Sequence, residues 1–106
     1  MSPNIFSCSA EWFEKLKDEQ PRVIVATWSE EGGEKLNEWL ERLQKFEDEG
    51  VPVFVCDIES CPSIAEKLGA RGGGETIVFE RGVEKGRLSP GQDLEAELAR
   101  VKEWAS

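Results

Sequence analysis

Residues 22–28 read Arg22-Val23-Ile24-Val25-Ala26-Thr27-Trp28, an almost unbroken apolar and β-branched run. A strand covered on both faces of a parallel sheet has this composition, whereas a strand with one wet face would alternate. Ser29-Glu30-Glu31-Gly32-Gly33 follows as a turn signal. Over residues 34–49 the apolar side chains Leu36, Trp39, Leu40, Leu43 and Phe46 fall at i, i+3, i+4, i+7 and i+10, one face of a helix. Gly50 suits the position just past its C-terminus. Residues 51–58, Val-Pro-Val-Phe-Val-Cys-Asp-Ile, make a second buried strand. Two strands joined by a long helical connection lie parallel, with a right-handed crossover.

Outward from this unit the alternation continues. Residues 5–8 read as a short first strand. Residues 9–19 carry Trp12, Phe13 and Leu16 on one side of a helix that Gln20-Pro21 stops. Ser60-Cys61-Pro62 opens a short helix with Ile64, Ala65 and Leu68 inward and Gly69 at its end. Pro62 fits its first position, and Ser63 and Glu66 have capping-box spacing. Gly72-Gly73-Gly74 precedes residues 76–80, and Arg81-Gly82 turns the chain into residues 83–88, a β-hairpin. From Ser89-Pro90 a last helix presents Leu94, Leu98, Val101 and Ala105 on one face. The order is β-α-β-α-β-α-β-β-α. It describes one α/β domain over residues 1–106, with a mixed central sheet flanked by helices.

Composition narrows the function. With 22 acidic and 13 basic side chains the net charge is −9, a surface that repels phosphate backbones and anionic lipid, so neither nucleic acid nor membrane is expected as a partner. No apolar run is long enough to span a bilayer. The N-terminal residues show no basic and apolar leader pattern, so a cytoplasmic location is expected. The chain has no histidine, which excludes Ser-His and Cys-His catalysis and removes the commonest metal ligand. Three cysteines, Cys8, Cys56 and Cys61, form no Cys-x-x-Cys pair. They are too few for a disulfide scaffold or a tetrahedral zinc site.

Four segments, in order, resemble the thioredoxin family. Residues 21–30 resemble the strand that leads into its active site and ends in a tryptophan, here Trp28. Residues 55–62 resemble the Val-Asp-x-Asp segment and the helix start after it. Ala65 to Arg71 is similar to Ala-x-x-Tyr-Gly-Val-x, and residues 76–82 to Thr-x-x-x-Phe-x-x-Gly. The resemblance runs from residue 10 to the end and implies a thioredoxin-like fold. It also shows what is missing. Where the family has Cys-Gly-Pro-Cys, this chain has Gly32-Gly33-Glu34-Lys35. The chemistry requires a low-pKa nucleophilic thiol at the helix start and a resolving thiol one turn later. The family's buried aspartate corresponds to Ala26, and its cis-proline to Glu75. A cis bond before a non-proline residue costs about 3 kcal/mol, so this peptide is expected to be trans.

The candidate residues follow. Residues 32–35 are expected to carry no disulfide exchange. Trp28, Gly32, Gly74, Glu75 and Thr76 border the groove beside the former active site, where a protein or an extended peptide could add through main-chain hydrogen bonds. Trp28 is read alternatively as a packing residue. Gly32-Gly33 at a helix start resembles an anion nest, but Glu30, Glu31 and Glu34 crowd the same place and repel phosphate. These acids with Asp57 and Glu59 lack calcium-loop spacing, so no metal and no cofactor is expected. Cys56 and Cys61 are the possible redox thiols, Cys56 near a strand end and Cys61 at a helix start. The alternative is a buried small hydrophobe and an incidental surface cysteine. The leading expectation is a redox-inactive, non-enzymatic binding module, monomeric or weakly self-associating through whichever of Trp12, Trp39 and Trp104 the core leaves exposed. The competing expectation is a thiol–disulfide oxidoreductase or redox sensor using Cys61, with Cys56 or a partner's thiol.

Overall fold

A computed structural model describes residues 4–5, 10–70, 72–89 and 93–106. The element order is β1 (Asn4–Ile5), α1 (Ala10–Glu19), β2 (Arg22–Trp28), α2 (Gly33–Asp48), β3 (Val53–Asp57), α3 (Pro62–Leu68), β4 (Thr76–Glu80), β5 (Val83–Leu88) and α4 (Leu94–Ala105), with a 3-10 turn over Glu30–Gly32. The five strands form one sheet in the order β1-β3-β2-β4-β5. β3 runs parallel to both β1 and β2, and β4 runs antiparallel to β2 and β5. The sheet is therefore mixed, as the element order requires.

β2 is central because both its faces are covered. Ile24 and Ala26 join the buried cluster under α2 and α4, with Leu36, Trp39, Leu40, Leu43, Val101 and Ala105. Val23 and Val25 join the opposite cluster with Phe13, Ile64, Leu68 and Phe79. Successive side chains point to opposite faces, so a strand between two helical layers needs apolar residues at both parities. Phe13 and Phe79 meet edge to face, with ring centroids 6.2 Å apart.

The punctuation residues act as their types suggest. Gly69 closes α3 in the left-handed region, its N–H and that of Ala70 donating to Glu66 and Ala65. Arg81 and Gly82 both have positive φ, the conformation that a two-residue hairpin turn needs.

The first strand is described over Asn4–Ile5; the rest of the expected strand, residues 6–8 with Cys8, lies outside the described residues. The last helix begins at Leu94, not near Ser89, because Asp93 caps it by accepting from the N–H of Ala96 at 3.1 Å. Pro62 begins α3 as its type suggests, with Cys61 at the cap position and no side-chain cap bond.

Candidate functional site

The C-terminal end of β2 runs into the 3-10 turn Glu30–Gly32 and then α2. Gly33 sits at the junction with φ 57° and an exposed surface, a conformation natural to glycine. Glu34 and Lys35 follow, also exposed, on the first turn of α2. Glu30, Glu31 and Glu34 place three carboxylates at the start of this helical segment, where the amides favour negative charge. Residues 32–35 thus present a glycine turn and charged side chains, and no thiol.

Against this turn lies the segment 72–75, and Thr27 holds it. The Thr27 hydroxyl donates to the carbonyl of Gly72 at 2.9 Å and accepts from the N–H of Glu75 at 2.9 Å. The main chain of Thr27 adds two more bonds, donating to Glu75 O at 2.8 Å and accepting from Gly74 N at 2.7 Å. These bonds leave Gly73 out, and Gly73 is exposed at the crest. Its glycine is required by closeness: a Cβ there would stand 2.6 Å from Ser29 Oγ and 2.7 Å from Ser29 N. Side chains are not accommodated at such distances from backbone.

The residues expected to border a groove differ in access. Trp28 is half-buried, packing partly on the α2/α4 cluster, and its carbonyl accepts from Ile58 N at 3.0 Å. Gly74 is buried and Glu75 half-buried. Thr76 is fully buried, its hydroxyl accepting from Trp39 Nε1 at 2.7 Å. Glu75 turns its carboxylate to Arg87 of β5 at 3.5 Å. The same guanidinium donates to Glu84 at 3.0 Å and to the carbonyl of Leu68. The hydrogen bond to Glu84, then the charges of Glu84 and Glu75, hold Arg87 above its ordinary pKa despite partial desolvation. Among the described residues no peptide bond is cis, as expected at Glu75.

The two thiol candidates are withdrawn from solvent. Cys56, in β3, is fully buried and free. Burial first, then the charge of Asp57, pushes its thiol up to about 11. Cys61 is 1% exposed and its sulfur is held in a disulfide. The expectation of a surface cysteine at the start of α3 is therefore corrected, because the start of α3 packs under the sheet in the cluster with Cys56 and Ile64. Asp57 organises the turn before it, accepting from Glu59 N at 3.0 Å and from Ser60. Among the described residues no three acidic or thiol side chains come together as a metal site. The tryptophans differ in burial. Trp39 is fully buried and Trp104 half-buried against the core, while the side chain of Trp12 lies outside the described ones.

Thr27, Ser29 and Arg87 were not singled out by pattern. Thr27 had one signal, as a lone hydroxyl inside an apolar buried strand, since buried polar groups carry partners.

The architecture superposes on solved structures along nearly its whole length. A point-mutant thioredoxin from Halobacterium salinarum matches with TM-score 0.78 at 17% identity, covering 99% of this chain and 92% of that one. The chain has the thioredoxin fold. Oxidised mitochondrial thioredoxin 3 from Saccharomyces cerevisiae aligns with TM-score 0.77 at 17% identity, over 95% of this chain and 94% of that one. A designed protein aligns with TM-score 0.82 at 17% identity, over 100% of both chains. No protein-family model and no curated protein sequence matches. No helix among the described residues is long and apolar enough to cross a membrane.

Proposed function

We propose that this chain is a redox-inactive, cytoplasmic thioredoxin-fold module that binds a protein or an extended peptide in the groove beside residues 32–35. One observation carries the first half: no thiol stands at the start of α2, and the free described thiol, Cys56, is buried with its ionisation pushed up to about 11. A nucleophile needs accessible thiolate, and this environment suppresses it. The second half rests on the surface left at that end, with half-buried Trp28, exposed Gly33 and exposed Gly73, whose main chain a bound strand can approach without side-chain obstruction.

An insulin-reduction assay with dithiothreitol tests redox inactivity, and the chain should give no acceleration above background. Peptides selected from a random display library test the groove. They should shift the amide signals of Trp28, Gly33 and residues 72–76. Gly72→Trp, at a position where a side chain meets open space, should block them. Peptides that map elsewhere would remove the groove from the reading.

The second reading, an oxidoreductase or redox sensor acting through Cys61, is favoured by the disulfide at that residue and opposed by its burial. Acceleration of insulin reduction that vanishes in Cys61→Ser would establish it in place of the first.

A further inference from the structure

At the end of the sheet away from residues 32–35, a cleft of about 370 Å³ opens between the C-terminal turns of α2 and α4. Its apolar wall includes Phe46, Val51 and Ala105, and its polar wall Arg22 and Lys102. Arg22 begins β2 and has the parity of Ile24 and Ala26, so it continues the row of side chains under the two helices. There it is half-buried, and its Nε–H is buried with no hydrogen-bond partner among the described residues.

Its cross-strand acid does not fill that role. Glu80 lies opposite Arg22 in register, yet places its carboxylate on Lys85 at 3.1 Å. Lys102 is in no ion pair among the described residues. Arg22, whose charge also acts on Glu80, and Lys102 therefore line an apolar-walled cleft, in a chain where acids outnumber bases 22 to 13. A guanidinium N–H with an ammonium nearby suits a carboxylate, and the volume lies at the low end for small-molecule sites. The net charge of −9 and the exposed Glu49 on the rim repel multiply charged anions. The favoured ligand is thus a monoanion with an apolar body that gains from burial.

We propose that this cleft binds small aliphatic monocarboxylates, the carboxylate turned to Arg22 and Lys102 and the chain lying on Phe46, Val51 and Ala105. The site is separate from the groove of the previous section and does not depend on that reading. The test is titration of the full chain with octanoate, followed by amide NMR, with 1-octanol as the uncharged control. Octanoate should shift the signals of residues 49–51 and 102–106 saturably. Arg22→Gln should weaken this about tenfold, the loss of one charge-assisted hydrogen bond. Lys102→Gln, on the exposed side of α4, should also weaken it and gives the answer should the Arg22 variant not fold. No saturable shift, equal binding of 1-octanol, or octanoate affinity unchanged in Lys102→Gln would overturn the proposal.

Discussion

Thr27→Val removes a hydroxyl while keeping the volume and β-branched shape of a fully buried side chain. The change leaves the N–H of Glu75 without its 2.9 Å acceptor and the carbonyl of Gly72 without its 2.9 Å donor. Each unmet partner costs about 1–3 kcal/mol when buried and less where water reaches it. Gly72 and Glu75 are only half-buried, so each belongs at the low end, and together they amount to about 2 kcal/mol. For a domain of 106 residues, 1 kcal/mol corresponds to about 4 °C in Tm, so the variant should melt about 8 °C lower. Urea unfolding by circular dichroism gives the free energy, and hydrogen exchange gives its location. The amide of Glu75 should lose protection, while those of Thr76 to Glu80, paired with β2 and β5, keep most of theirs. Thr27→Ser, which retains the hydroxyl, should keep the Glu75 protection. A Thr27→Val chain within 0.5 kcal/mol of wild type, with Glu75 still protected, would refute the assignment of Thr27 as the residue that holds the segment 72–75.

Gly73→Ala should cost about 1–3 kcal/mol by overpacking against the main chain of Ser29. Gly72→Ala, with open space around its Cβ, should stay within about 0.5 kcal/mol of wild type, and chemical denaturation of the pair separates close approach from general flexibility. Trp39→Phe removes the donor to Thr76 and opens space in the core, so a loss of about 2–4 kcal/mol is expected in urea unfolding. Cys56 should resist iodoacetamide at pH 8 in the native chain and react fully in denaturant, read by mass spectrometry. Its thiol ionises near 9.0 when unfolded and near 11 when folded. The native state therefore holds its proton longer, and the stabilisation is present below pH 9 and lost as pH rises towards 11. The slope there is at most about 1.4 kcal/mol per pH unit, and Cys56→Ala should flatten it.

Much of the fold was legible because its signals are local. The alternating and helical periods placed β4, β5, α2 and α3 within a residue or two of their observed bounds. The apolar run at residues 22–28 identified the strand covered on both faces. The last helix was misplaced because Pro90 offered a plausible first position, whereas a hydrogen bond from Asp93 decided the start. The burial of Cys61 is not legible at a helix start, because nothing in the neighbouring residues says which layer lies above it.

The sequence by itself determined the strand and helix order, the acidic surface, and the absence of thiols at residues 32–35, since each is a property of residue type and spacing along the chain. Only the tertiary structure decided that Gly73 lies against Ser29, that Thr27 binds the segment 72–75, that Cys56 and Cys61 are buried, and that Arg22 lines a cleft with Lys102. Those pairs lie far apart along the chain. Close approach, desolvation and orphaned donors are properties of neighbours in space, which no local period encodes.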